Sequence, residues 1–538
     1  MKKLFFNLIY ALLISALFLF MDKVYMLHNS HFIFNFTFLE FFKKMFLLVL
    51  LISIFQEKAI RLSLFFILIL FSFFQYIHFE YFGRNIQGIE FYLFFTEINE
   101  TFETLGSMLS LLTIPLAIMI ISTLLIYLID KKFSEKLYYF KYVKLLFLTT
   151  LIGVNLYIYI IINVQHKRLS HFHTKWICPM THRHSSRNFF VSLNYFIFGI
   201  IPQKLCTSNS DHLPLKKPLL LHSDMNRTII LFIGESLRYD KFNMEQNNSL
   251  TPKLRVMKNN HSILVKKIYS GGTATKVSVA TLINRLKYPK SFLQITQEKN
   301  CLFKLAKENH LNTYFISRQE DSQLEMIRDT ICPKYIDNFI YQEKFVTYIK
   351  PLGYDEDLQE VVEKLDILKP NNFIVLQHRG SHSPYEKQYP KAFKKHPNSY
   401  DNTVLYTDYT LSKLIQYIQK NIRNEVFFFY VSDHGEMFGE KGKRGHGTLD
   451  KEVYEVPLLM YTNSSDPLVK KTFNHIRSHY DLSNYILSLL GYSSDLLDKD
   501  KDKDIYILNS DIDAYSGYGI ISIKNGKESN ITIINNPL

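Results

Sequence analysis

The sequence predicts a five-helix transmembrane domain followed by an exported α/β domain with a mostly parallel central sheet flanked by helices. Three observations predict it. Of the 538 residues, 47% are apolar and 15% aromatic, and these are crowded into the first 165 positions. The front third contains long Phe- and Ile-rich runs with almost no interior charge. From residue 225 the pattern changes to short apolar runs alternating with helical stretches.

Four runs are near the roughly 20 residues that cross a bilayer: 4–21, 60–79, 107–129 and 142–163. A fifth, 38–55, is split by Lys43 and Lys44 and is also counted as a span. The first run follows Lys2 and Lys3, but no small-x-small cleavage site precedes Asp22, so it reads as an anchor. With five spans, the basic clusters Lys2 and Lys3, Lys58 and Arg61, and Lys131, Lys132, Lys136, Lys141 and Lys144 fall on one side. By the positive-inside rule the N-terminus is cytoplasmic and everything after residue 163 lies outside.

Net charge is +14, with Lys and Arg spread through the exported part. Such a surface suits anionic lipid headgroups or phosphorylated saccharides, and the exported location argues against nucleic acid. Cys178, Cys206, Cys301 and Cys332 all fall on the outer side, where disulfides persist; four cysteines allow three full pairings.

Residues 164–224 read as a connector on the membrane surface. A run of histidines in it, His166, His171, His173, His182 and His184, lacks the regular spacing of a metal site. In the exported domain, residues 225–538, candidate strands are 228–234, 313–317, 372–378, 425–433 and 456–461. Segments 354–368 and 400–421 read as amphipathic helices, and the acidic-basic run at 495–504 as a solvated loop.

In open α/β sheets, ligands gather at the carboxyl ends of strands. The run TIILFIG ends in Glu235 and Ser236, and EVFFFYVS ends in Asp433 and His434. Taken singly, a Glu after a strand is usually a cap and Asp-His a common pair. Together, two carboxylates and an imidazole are suited to Zn²⁺, which prefers four tetrahedral donors. The segment SGGTATKVSVATLINRL (270–286) places Thr275 near a helix N-terminus, where free N–H groups favour an alkoxide and a bound phosphate. A zinc ion lowers the pKa of bound water from about 15.7 to about 7, and a zinc-bound alcohol should respond in the same direction. Without the metal ligands, Thr273 and Thr275 would be read as helix caps.

These residues carry a resemblance. FIGES, GGTATKVSV, RGSHSPY, YDNTVLYTDY, SDHGE and the GHG at 445–447 stand in the order and approximate spacing of the phosphoethanolamine transferases that modify lipid A and lipooligosaccharide core. That group includes the colistin-resistance enzymes. The resemblance covers nearly the whole chain and implies an alkaline-phosphatase-like domain behind five transmembrane helices. It implies that Glu235, Thr275, Asp433 and His434 bind the catalytic zinc, and that His382 and His446 contact the phosphoryl group or a second metal. In the membrane part, TEINE (96–100) loosely resembles a T-N-x-x-E element near the lipid site, which would assign substrate contacts to Thr96 and Glu100.

The resemblance further implies a phosphatidylethanolamine donor, a lipid A or core-saccharide acceptor, a covalent phosphothreonine intermediate, and a monomer in the bacterial inner membrane with its catalytic domain in the periplasm. The sequence also departs from the family. Many relatives clamp the nucleophile loop with a disulfide, but here Gly271 and Thr281 occupy the cysteine positions, so the loop must be held otherwise. SRQED (317–321) replaces an Asn-bearing, cysteine-rich stretch, which leaves the acceptor open.

A sulfatase would need C/S-x-P-x-R, and TATKVSV lacks that proline and arginine. A lipoteichoic-acid-type glycerophosphate transferase shares the anchor, threonine and metal site and is the nearest enzymatic alternative. A non-catalytic membrane scaffold would not be expected to keep every ligand type.

Overall fold

The computed structural model describes residues 2–34, 57–96, 109–137, 184–202, 215–494 except 224, 225 and 246, and 503–534 except 515, 525 and 526, with a few isolated positions in 42–45 and 149–160. Three described helices are long and apolar enough to cross a membrane: Phe5–His28, Lys58–Phe82 and Thr113–Lys136. They belong to helices α1 (Lys2–His28), α2 (Lys58–Phe82) and α4 (Thr113–Phe133), with a short α3 (Gly88–Thr96) between the last two. The candidate spans at 38–55 and 142–163 lie almost wholly outside the described residues.

Helix α4 buries Pro115, Ile118, Ser122, Ile126 and Asp130, the three- and four-residue spacing of one helix face. Ile120, Ile121, Leu124 and Leu128 are exposed on the others, as a lipid-facing surface requires. Charge inside a membrane bundle is costly unless paired and turned inward. Arg61 Nε lies 2.7 Å from Asp130 Oδ1, which also accepts from the Tyr10 hydroxyl at 2.9 Å, so one buried ion pair ties α1, α2 and α4. Toward the other end of α1, Asp22 accepts from Tyr76 at 2.7 Å and from the Ser185 hydroxyl at 2.6 Å. His184 Nδ1 lies 2.7 Å from the same carboxylate. These contacts pin helix α5 (Ser185–Tyr195) of the connector to the bundle. Of the run His166, His171, His173, His182 and His184, only His184 lies among the described residues, and it serves that ion pair.

The second part is built on a mixed seven-stranded sheet in the order β2-β9-β6-β1-β5-β3-β4. The strands are β1 (Arg227–Gly234), β2 (Leu264–Tyr269), β3 (Asn312–Ser317), β4 (Asn338–Ile340), β5 (Asn372–Gln377), β6 (Glu425–Ser432) and β9 (Glu455–Thr462). β6, β1, β5, β3 and β4 pair parallel in succession, whereas β9 pairs antiparallel with both β6 and β2. β7 (Met437–Phe438) and β8 (Arg444–Gly445) form a separate antiparallel hairpin, and β10 (Lys503–Leu508) pairs antiparallel with β11 (Tyr518–Lys524).

Alternation along β1 and β6 divides the core between the two faces of the sheet. Ile229, Leu231, Ile233, Phe427, Phe429 and Val431 pack with Val279 and Leu282 of α6 (Thr275–Asn284) and Leu482 and Ile486 of α9 (His479–Leu489). Ile230, Phe232 and Phe428 pack on the other face, with Val361 and Val362 of α7 (Asp357–Leu365) and Val404, Leu411 and Leu414 of α8 (Ser399–Asn421). Strands buried on both faces read as continuous apolar runs, which is why β1 and β6 stood out in the sequence. Asn398 caps α8 by accepting from the Tyr400 N–H, and Ser478 caps α9 by accepting from Asp481 N–H.

Cys301 and Cys332 form a disulfide on the α9 side of the sheet; Cys178 and Cys206 lie outside the described residues. One expectation is corrected. The run at 495–504 is not a loop throughout: Lys503 and Asp504 open β10, and 495–502 lie outside the described residues.

Candidate active site

Parallel pairing puts the ends of β1 and β6 side by side, with Gly234 opposite Ser432. The next residues of both strands therefore emerge together. Glu235 and Asp433 are each 1% exposed and His434 is fully buried. The backbone turns sharply at Ser236, whose φ of 55° is left-handed, and this lets its N–H donate to Asp433 Oδ1 at 3.0 Å. Asp433 Oδ1 also accepts from the N–H of His434 at 2.7 Å.

Donor atoms of Glu235, Asp433 and His434 all lie within 4.8 Å of one another. Thr275, the first residue of α6, places its hydroxyl 3.2 Å from His434 Nε2 and 3.3 Å and 3.4 Å from the two Glu235 oxygens. Two features of this chain fit a cation at their centre. Asp433 Oδ2 is buried without a hydrogen-bond partner, although its twin oxygen has two; a buried charge needs a partner or a metal. The Gly435 carbonyl accepts from His434 Nδ1 at 2.9 Å, which puts the proton there and turns the lone pair of Nε2 toward Thr275. Burial lowers the His434 pKa below its ordinary value, so the imidazole is neutral, as a metal ligand must be. Two carboxylates, one imidazole and one hydroxyl form an oxygen- and nitrogen-donor set of the kind zinc accepts.

The two threonines of the loop separate cleanly. Thr273 is fully buried, donates its hydroxyl to Asn509 at 2.9 Å and takes no part in the cluster. Thr275 is not a cap either, because the cap position is Ala274. The loop is held without a disulfide: Gly271 packs its Cα directly on the Thr281 side chain, the pair standing at the cysteine positions. The hydroxyls of Ser270 and Ser278 both donate to the Asp433 carbonyl, tying the threonine loop to the Asp433–His434 loop.

His446 follows β8, and its ring centroid lies 4.3 Å from that of His434. Its Nδ1 is 3.7 Å from the buried Glu436. His382 lies on a loop hung from the Glu235 carbonyl by the Ser381 N–H at 3.0 Å, and its own Nδ1 faces the Ser383 carbonyl. Thr96 ends α3 and Glu100 lies outside the described residues, so neither is placed against the cluster.

Two further residues belong here that sequence reasoning did not single out. Gln319, within SRQED, donates to Glu235 Oε2 at 3.1 Å. His479, fully buried, meets the Ser432 carbonyl at 3.0 Å and the Ser278 hydroxyl at 3.2 Å behind the Glu235–Asp433–His434 cluster. Gln319 follows a strand end, which was the available signal; a lone His opening a helix offers none.

A sulfatase family model matches residues 227–492. The Kdo(2)-lipid A phosphoethanolamine 7''-transferase of Escherichia coli is 26% identical over 306 residues, covering 49% of this chain and 52% of that protein. Phosphoethanolamine transferase EptA of Salmonella typhimurium is 28% identical over 260 residues, covering 43% and 45%. The chain thus spans about half the length of the curated relatives it matches. Among solved structures, the integral membrane protein lipooligosaccharide phosphoethanolamine transferase A of Neisseria meningitidis shares the fold, with a TM-score of 0.55 at 16% identity, covering 92% of this chain and 96% of that one.

Proposed function

Because the chain belongs to the phosphoethanolamine transferase family of the alkaline phosphatase/sulfatase superfamily, we propose that it transfers phosphoethanolamine from phosphatidylethanolamine to lipid A, lipooligosaccharide core or another envelope acceptor. The observation that carries this reading is the placement of the Thr275 hydroxyl against Glu235 and His434 at the start of α6. In this reading residues 1–163 form a five-helix transmembrane domain, 164–224 a membrane-surface connector, and 225–538 the catalytic domain on the periplasmic face of the inner membrane.

Glu235, Asp433, His434 and Thr275 would hold a zinc ion. When bound, it supplies positive charge that lowers the pKa of the Thr275 hydroxyl and stabilises negative charge on the phosphoryl group. Thr275 donates its hydrogen bond toward Glu235, so that carboxylate is the first acceptor for the hydroxyl proton. The Thr275 oxygen then attacks phosphorus, the bond to the diacylglycerol oxygen breaks, and that oxygen takes up a proton on leaving. A second attack, by an acceptor phosphate or hydroxyl, breaks the Thr275–phosphorus bond and restores the enzyme. The N–H groups at the start of α6, with His382 and His446, would stabilise the charge that develops on the phosphoryl oxygens.

The donor experiment tests this reading. The full chain in vesicles receives phosphatidylethanolamine labelled in both the ethanolamine and the phosphorus. Transfer of both labels together, leaving diacylglycerol, is expected. Transfer from phosphatidylglycerol instead would move the protein to the glycerophosphate transferases.

A further inference from the structure

The loop that carries His446 is pressed against the membrane domain. Gly442 and Gly445 adopt left-handed φ values of 70° and 71°. Each has an aromatic ring from the N-terminal part where its Cβ would stand: His31 on Gly442, and Tyr81, in the last turn of α2, on Gly445. Only glycine meets both demands, the backbone conformation and the close approach. From the other side of the contact, Gly83, the left-handed cap of α2, lies under Lys443 and the Gly442 carbonyl.

Arg84 completes the bracket. Its Nη2 donates to the Gly447 carbonyl at 3.5 Å, and its guanidinium is ion-paired with Glu90 of α3. His78 Nδ1 lies 2.9 Å from the Arg84 carbonyl and fixes the backbone there. The N–H of Gly447 donates in turn to the Thr273 carbonyl at 2.8 Å, two residues before Thr275. A continuous path therefore runs from the outer end of α2 through Gly447 to the threonine loop, with the His446 ring against His434 beside it.

We propose that the membrane domain is a working part of the catalytic centre as well as its anchor: Tyr81 and Arg84 are positioning residues that hold the 442–447 loop and so set His446 against the metal-ligand cluster. This rests on the transferase reading for the role of His446. The loop carries three glycines among six residues, Gly442, Gly445 and Gly447, and would not fix its own geometry. The rings and guanidinium of the other domain supply that constraint, and a small displacement of a reacting group is enough to cost one to two orders of magnitude in rate.

The test uses the full chain in nanodiscs, as wild type, Arg84→Ala, the milder Arg84→Gln, and Tyr81→Ala. Four quantities are read: zinc content, amide hydrogen exchange of the 443–450 segment, turnover of phosphatidylethanolamine, and turnover of a soluble aryl phosphoethanolamine diester that needs no lipid access. The variants are expected to keep their zinc and to exchange the Gly447 amide roughly three- to tenfold faster, the loss of about one hydrogen bond. Their kcat on the soluble diester should fall about 10- to 100-fold with KM nearly unchanged. Unchanged exchange overturns the proposal. So does faster exchange with unchanged kcat, which would make the contact merely structural. So does a loss confined to phosphatidylethanolamine, which would make Arg84 a lipid contact. If the wild type turns over neither ester, the transferase reading falls, and the exchange measurement alone still decides whether the membrane domain holds the loop.

Discussion

Substituting Asp433 by Asn and by Ala should separate its two oxygens. Oδ1 accepts two buried N–H groups, from Ser236 at 3.0 Å and His434 at 2.7 Å, while Oδ2 has no hydrogen-bond partner. Asp433→Asn keeps the first oxygen and replaces the second with an amide donor, which removes the proposed metal ligand and a buried negative charge. Asp433→Ala orphans both N–H groups as well, at a cost of about 1–3 kcal/mol each, or roughly 2–6 kcal/mol together. In chelator, Asp433→Asn should therefore be at least as stable as the parent, and Asp433→Ala less stable by that amount. In zinc at about 100 times its dissociation constant, the parent should gain about 2.7 kcal/mol and neither variant should gain it. Thermal unfolding of the detergent-solubilised chain, with chelator and with zinc, reads both effects. Zinc stabilisation of Asp433→Asn equal to that of the parent would rule out Oδ2 as a ligand, and equal stability of the two variants in chelator would rule out the structural role of Oδ1.

Other outcomes follow from the same geometry. Burial pulls the His479 pKa down to about 4, so the folded chain binds that proton less readily than the unfolded one, whose ordinary value is about 6.5. Its contribution is full above pH ~6.5 and is lost as the pH falls toward about 4, by roughly 3 kcal/mol; His479→Asn should flatten that part of a urea-midpoint curve. A slope unchanged by the substitution would assign the acid sensitivity elsewhere. Cys301 and Cys332 are 31 residues apart, a loop whose closure is worth about 3–4 kcal/mol, so reduction should lower the denaturation midpoint without releasing metal. Zinc loss on reduction would show that the disulfide supports the metal site directly. Gly271→Ala should destabilise the threonine loop because its Cβ would overlap Thr281, and Thr281→Ala in the same chain should recover part of the loss. If Gly271→Ala is neutral in thermal unfolding, that pair does not hold the loop.

The parts legible in the sequence were those that period and strand ends control. β1 and β6 are buried on both faces and appear as unbroken apolar runs, so Glu235 and Asp433 could be placed at their ends. An apolar run carries no arrow, however, and β9 turned out to pair antiparallel. β4 is only three residues long, and the pairing of β10 with β11 starts inside a charged run, so neither had a pattern to find. Thr273 and Thr275 were equivalent as caps until Asn509, far along the chain, drew Thr273 away. Arg84 stands in no sequence pattern, and its contact with Gly447, 363 residues away, appears only in the fold.

In the proposed reaction Thr275 carries the phosphoethanolamine between donor and acceptor. Intact-protein mass spectrometry of the full chain after incubation with phosphatidylethanolamine and no acceptor tests it most directly, with fragment ions that distinguish Thr273 from Thr275. One phosphoethanolamine is expected on Thr275, absent in Thr275→Ala and at least partly retained in Thr273→Ala. An adduct on Thr273, or full transfer by Thr275→Ala, would contradict it.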